Sequence, residues 1–246
     1  KLFNDQVFLF IFLPVVFFLL FFVKKFRKQN DWSLVLIVGC SFFFYGFHNW
    51  YHLPLLLGSI CFNYLLGILI LKVESKSHQE ICLAFGILIN LVVLGVYKYA
   101  NFFLGSVGMT PFLDIALPLA ISFFTFQQIA YLVDLKRGLL HQPSFLHYSF
   151  FVSFFPQLIA GPIVRAQNIL PQLRKKKLGV ATNEQFWAGV CLFSIGLFKK
   201  TCLADGIKPL AEAVFSFSDH SIVLSITEAW IGVLAFGLQI YFDFSA

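Results

Sequence analysis

Charged side chains are scarce in this chain, 12% of 246 residues, where a soluble domain carries about a quarter. That scarcity excludes a soluble globule, because so little charge would leave large apolar patches in contact with water. Methionine is nearly absent too: Met109 is the only one. No initiator is present, and the last residues, Gln239 to Ala246 (QIYFDFSA), carry no helix-stop signal. The chain therefore reads as a piece of a longer protein. Its five cysteines, Cys40, Cys61, Cys82, Cys191 and Cys202, fall in apolar runs without CxxC or metal-ligand spacing. They are expected to be small core residues. The motifs GxGxxG, GxxxxGK[ST], HExxH and GxSxG are all missing, which removes the common soluble-enzyme signatures.

What is present is apolar: 59% hydrophobic residues, 34 of them Phe. The net charge of +6 gathers mainly in Lys24 to Lys28 (KKFRK) and Arg174 to Lys177 (RKKK). In a chain of many apolar spans such clusters mark the cytoplasmic face and not a nucleic-acid site. Val7 to Val23 is a first span, roughly 26 Å long at 1.5 Å per residue, with a kink expected at Pro14. It is too long and too cleanly apolar for a signal-peptide core. Trp32 to about Phe47 crosses back, and His48 to His52 (HNWYH) turns at the far interface. Leu53 to Leu71 returns, Lys72 to Glu80 is a polar loop, and Ile81 to Tyr97 crosses again, with Lys98 as an interfacial anchor. Ile115 to Leu135, Phe186 to about Ala204 and Ile222 to Phe242 complete the spans. The fold class is all-α: a polytopic membrane helical protein, a single transmembrane domain over 1–246, incomplete at both ends.

Two segments are more than anchors. Ile115 to Leu135 carries Gln127, Gln128, Tyr131 and Asp134. Gln127, Tyr131 and Asp134 fall at i, i+4 and i+7 and share one helix face, and a polar stripe at bilayer depth must meet protein or water. The other segment is Phe145 to Val164, followed by Arg165. Within it, the run 151–165, FVSFFPQLIAGPIVR, is interrupted by Pro156, Gly161 and Pro162 and carries Gln157. Arg137 and the RKKK cluster both read as cytoplasmic with only this one segment between them, so the segment is expected to enter and return, or to lie buried without crossing. Broken backbone at that depth is tolerated only where protein buries it or a cavity touches it.

Other residues keep two readings. Gln239 and Asp243 share a face at i, i+4, as a site wall or as an interfacial helix end. Arg165 is an anion binder or an ordinary inner-interface arginine. His48 and His52 have metal-ligand spacing but no acidic neighbour, so hydrogen bonding at the interface is expected and no metal. His141, His147 and His220 read as surface residues.

Five runs, LGVYKYANFF (94–103), LPLAISFFTFQQIAYLVDLKRG (117–138), FVSFFPQLIAGPIVRAQNILPQL (151–173), GLFKKTCLADGI (196–207) and LQIYFDFSA (238–246), resemble in order the membrane-bound O-acyltransferase family, in its bacterial polysaccharide O-acetylation branch, which includes alginate biosynthesis. The resemblance implies transfer of an acetyl group from a cytoplasmic thioester such as acetyl-CoA, with no bound cofactor, to hydroxyls of an exported polysaccharide or cell-envelope polymer. It implies a multi-pass protein of the bacterial inner membrane, in contact with membrane lipid and with periplasmic or membrane partners of an acetylation complex, and no nucleic acid. The family's catalytic histidine lies beyond the position matching Ala246, so no catalytic residue is expected in this chain, and the chain alone is expected to be inactive. The wall of the site falls on Gln127, Gln128, Asp134, Gln157, Pro162, Arg165, Gln239 and Asp243. The competing readings are a transporter, which broken helices also suit, and a non-catalytic scaffold that docks a soluble acetyltransferase.

Overall fold

The computed structural model describes residues 6–26, 30–108, 117–158, 161, 164–173, 182–219 and 225–246. Among these residues every regular element is a helix. The chain forms two compact units, one of Lys1–Phe17 with Val180–Ala246 and the other of Phe18–Gly179. The first helix, α1 (Phe8–Phe26), is divided between them. It opens with a π turn, Phe8–Phe12, in which the Leu13 N–H reaches back to the Phe8 carbonyl. This wider turn stands directly ahead of Pro14, whose ring crowds the carbonyl four residues earlier. The irregularity expected at Pro14 is thus a π turn just upstream of it.

In the second unit, α2 (Asn30–His48) ends at Asn49, whose side-chain oxygen accepts the Tyr51 N–H at 3.1 Å. A single 3-10 turn, Trp50–His52, leads into α3 (Leu53–Lys72), with Pro54 in its first turn, where the missing N–H has no cost. This is the HNWYH turn expected from sequence. Helix α4 (Lys76–Ser106) is longer than its apolar core, about 46 Å against the ~30 Å hydrocarbon layer. The polar stretch 72–80, expected to be a loop, is helical from Lys76 onward. Gln79 explains part of this, because its amide donates to the Val73 carbonyl at 2.7 Å and closes the helix start.

Helix α5 (Ile121–Lys136) begins six residues later than the span expected from Ile115. Pro118 and a left-handed Ala120, φ 59°, form the turn that delays it. Helices α3, α4 and α5 pack closely. A side chain on Gly86 would run into Leu66 of α3 and lie 2.9 Å from Leu132 of α5, so the contact exists because no Cβ stands there. The buried Asn63 and Asn90 exchange amide hydrogen bonds at 3.2 and 2.7 Å between α3 and α4, and Lys136 pairs with Glu80 at 2.9 Å. After α5 come α6 (Phe145–Ser153), α7 (Phe155–Leu158) and α8 (Ala166–Leu173).

The first unit is built on one long helix. Helix α9 (Asn183–Phe198) runs through a π turn, Lys199–Ala204, into α10 (Asp205–Asp219). The span expected to end near Ala204 therefore continues as helix. Thr182 and Gln185 form a capping box at its start. Helix α11 (Ile226–Ser245) turns back along α10. Val214 packs on Gly232, Phe215 meets Phe236 with ring centroids 5.5 Å apart, and Lys200 meets Asp243.

Among the described residues five helical stretches are long and apolar enough to cross a bilayer: Phe8–Phe26, Asp31–His48, Trp50–Lys72, Lys76–Ser106 and Asn183–Ser216. Helices α5 and α11, expected as spans, are not among them. Helix α5 has only 16 residues, and α11 is interrupted by Glu228, Gln239 and Asp243. The cysteine expectation also changes. None of the five is buried, and Cys61, Cys191 and Cys202 are exposed. In a membrane protein the outer helix face is itself apolar, so an apolar run no longer marks the core.

Candidate functional site: a braced helix break and a lysine between two carboxylates

The interrupted segment behaves as its prolines dictate. Ser144 caps α6, and α6 stops after nine residues, about 13 Å, under half the hydrocarbon thickness. At Phe154 the backbone leaves helical geometry (φ −52°, ψ 108°). Pro156 has no N–H for the Val152 carbonyl, so the hydrogen-bond ladder of α6 cannot run on through it.

The break frees backbone groups that an unbroken helix would pair. In such a helix the Phe155 N–H would donate to the Phe151 carbonyl. Here the Phe151 carbonyl accepts from Gln127 Nε2 of α5 at 2.8 Å. The Phe155 N–H donates to Ser41 Oγ of α2 at 3.2 Å, and Ser41 Oγ in turn donates to the Ile37 carbonyl at 2.8 Å. Two side chains from two helices thus replace one lost backbone bond, as buried irregular backbone requires. Phe44 seals the break against Phe155, ring centroids 5.7 Å apart.

Gln128 is fully buried. Its Oε1 accepts from the Tyr148 hydroxyl at 3.0 Å, and its Nε2 donates to Ser59 Oγ at 2.8 Å, which ties α5 to α6 and α3. Tyr131 donates to Gln142 Oε1 at 3.2 Å and packs on Tyr148 with centroids 4.4 Å apart. Asp134, one turn further on, is 5% exposed, yet among the described residues its Oδ2 has no hydrogen-bond partner. The same holds for Gln142 Nε2, Ser149 Oγ and Ser33 Oγ. A buried carboxylate oxygen left unpaired is costly and marks a place where a polar group is accommodated. Gln157 is half-buried and Arg165 exposed. Pro162 and the basic cluster 174–177 lie outside the described residues.

In the first unit Gln239 and Asp243 are both half-buried on α11. Asp243 Oδ1 accepts from Lys200 Nζ at 2.6 Å, and the same Nζ donates to Asp205 Oδ1 at 2.9 Å. Among the described residues no group of three or more His, Cys, Asp or Glu is placed to hold a metal ion.

The structure therefore places the expected residues in different units: Gln127 at the break, with Gln128 and Asp134 further along the same buried face of α5, and Asp243 with Lys200. Ser41, Ser59, Tyr148, Lys200 and Asp205 were not singled out by sequence. The one signal for the last two was the spacing of Lys200 and Asp205, five apart, wrong for an α-helical ion pair and right for a π turn.

These features define a class: a multi-pass, all-helical membrane protein that buries broken backbone against its own polar side chains. Comparison with known proteins narrows it. The chain is 39% identical to a peptidoglycan O-acetyltransferase of Helicobacter pylori, over 99% of this chain and 51% of that one. It is 35% identical to probable alginate O-acetylases AlgI of Azotobacter vinelandii and Pseudomonas aeruginosa, over 99% of this chain and 48% and 46% of theirs. The chain spans about half the length of the relatives it matches. No family model and no solved structure matches it. The likeness first seen in five short runs extends across the whole of this chain, which resembles membrane O-acetylating enzymes over 99% of its length.

Proposed function

We propose that the chain forms part of a bacterial inner-membrane O-acetyltransferase that moves acetyl groups from a cytoplasmic thioester, acetyl-CoA or an equivalent, to glycan hydroxyls of the cell envelope or of an exported polysaccharide. One observation carries this reading: relatives named for two different glycans align with nearly the whole chain. What those names share is ester formation on a sugar hydroxyl.

In this reaction the glycan oxygen attacks the acetyl carbonyl. A C–O bond forms, the C–S bond breaks, and the hydroxyl proton leaves with the departing thiolate. A site at bilayer depth suits the step because excluding water protects the acyl group from hydrolysis and strengthens fixed dipoles at the developing oxyanion. In our reading Gln127 frames the wall by holding the break in shape, Gln128 by tying α5 to α6 and α3, and Gln157 continues its path. The unpaired oxygen of Asp134 accepts from a polar group of the path. Arg165 meets the anionic part of the donor, and Gln239 and Asp243 orient groups at the reacting centre. Membrane lipid surrounds the protein, and periplasmic or membrane partners deliver the glycan.

The test is complementation. The full-length gene is expressed in a strain lacking its own envelope O-acetyltransferases, and acetate released by mild base is measured separately from isolated peptidoglycan and from exopolysaccharide. Ester-linked acetate on either polymer supports the reading and identifies the acceptor. Background acetate on both, with the protein present in the membrane, refutes it.

A further inference from the structure

Lysine 200 occupies an unusual place. In an α-helix, residues five apart point about 140° away from each other, so Lys200 and Asp205 could not meet. They meet because Lys199–Ala204 is a π turn, in which the Asp205 N–H bonds to the Lys200 carbonyl. The i, i+5 register stacks the two side chains on one face. On that face Asp243 arrives from α11, so a single ammonium bridges two carboxylates through one oxygen of each. The three side chains are 33–36% exposed, and the cluster carries one net negative charge.

A plain helix staple does not need this backbone. The same helix makes one in ordinary α geometry, Lys208 to Glu212 at 3.3 Å. π turns inside helices concentrate at functional sites. The bridge also leaves something over: among the described residues no donor meets Asp243 Oδ2, while Oδ1 is fixed at 2.6 Å.

We infer that Lys200 is a positioning residue: through the π turn it anchors one oxygen of Asp243 and so aims the other at the reacting groups of the acyl transfer. This rests on the proposed function. Asp243 Oδ2 accepts a hydrogen bond from an N–H or O–H donor there, and the Lys200–Asp205 bridge fixes its direction.

The experiment uses the full-length protein in membranes, with acetyl transfer measured per amount of folded protein, as kcat and KM for the donor separately. K200M is expected to lower kcat at least tenfold with KM changed less than threefold, and K200R, which keeps the charge, to lose less. The decisive variant is the exchange K200D with D243K, which again places one cation between two carboxylates. It is expected to recover the folded level and melting temperature lost in the single variants but not the activity. Recovery of activity along with stability makes the cluster a staple and overturns the inference, as does a K200M with wild-type kcat. A wild-type protein that transfers no acetyl group overturns the proposed function and this inference together, whereas an active wild type with an equally active K200M overturns the inference alone.

Discussion

Replacing Gln127 with leucine removes the one side-chain donor that the described residues place on the Phe151 carbonyl and leaves that carbonyl facing an apolar neighbour. The bond is short, 2.8 Å, and buried. Hydrogen bonds between membrane helices contribute about 0.6 kcal/mol on average and about 1.7 at most. Stranding a buried acceptor costs about 1–3 kcal/mol in soluble proteins. Leucine fills similar volume, so a cavity adds little. A loss of about 1–2 kcal/mol follows, a factor of about five to thirty in the folded ratio. Ser41→Ala strands the other half of the broken bond, the Phe155 N–H, and should cost a similar amount. The two variants are coupled. Once both braces are gone, the Phe155 N–H and the Phe151 carbonyl are left to pair with each other, so the double variant should cost at least about 0.5 kcal/mol less than the sum of the singles. Equilibrium unfolding in mixed micelles, followed by a spectroscopic probe of helix content, measures all three. A Q127L within about 0.3 kcal/mol of wild type, or strict additivity, would refute the brace.

Two further predictions concern packing and backbone. Ala120→Gly should stabilise the second unit by about 1 kcal/mol, because Ala120 holds a left-handed φ of 59° that glycine adopts without strain; thermal melting in detergent reads this, and a lower melting temperature contradicts it. Gly86→Ala should destabilise by about 1–3 kcal/mol through forced displacement of Leu66 and Leu132, seen in the same melts as a fall that is less than additive with that of Leu66→Ala.

Much of this protein was legible in its sequence, for identifiable reasons. Prolines and glycines fix backbone locally, so the break near Pro156 and the turn at HNWYH fell where they were read. The polar stripe on α5 was read as meeting protein or water, because lipid offers such groups no partner, and Gln127, Gln128 and Tyr131 do bond to protein. What each member bonds to was not readable. Gln127 and Ser41 reach the break only through tertiary packing, Ser41 from 114 residues before Phe155 and Gln127 from 24 residues before Phe151. The π turn at Lys199–Ala204 was hidden because nothing in the run KKTCLA departs from an ordinary helix pattern. The chemistry of Lys200 appears only when the i, i+5 register is known. The helix starts at Lys76 and Ile121 were missed for opposite reasons: Lys76 to Glu80 is polar enough to pass for a loop, and Leu117 to Ala120 apolar enough to pass for a helix. The cysteines were misplaced because apolar sequence means core in water and surface in lipid.

The most direct test of the functional account follows one acetyl group. Inside-out membrane vesicles carrying the full-length protein, loaded with acceptor glycan in the lumen, receive radiolabelled acetyl-CoA from the outside. The account predicts label that accumulates on the lumenal glycan, is released by mild base, and is lost in D243A at an equal membrane level. Label that stays outside the vesicles, or appears on the glycan equally well without the protein, contradicts it.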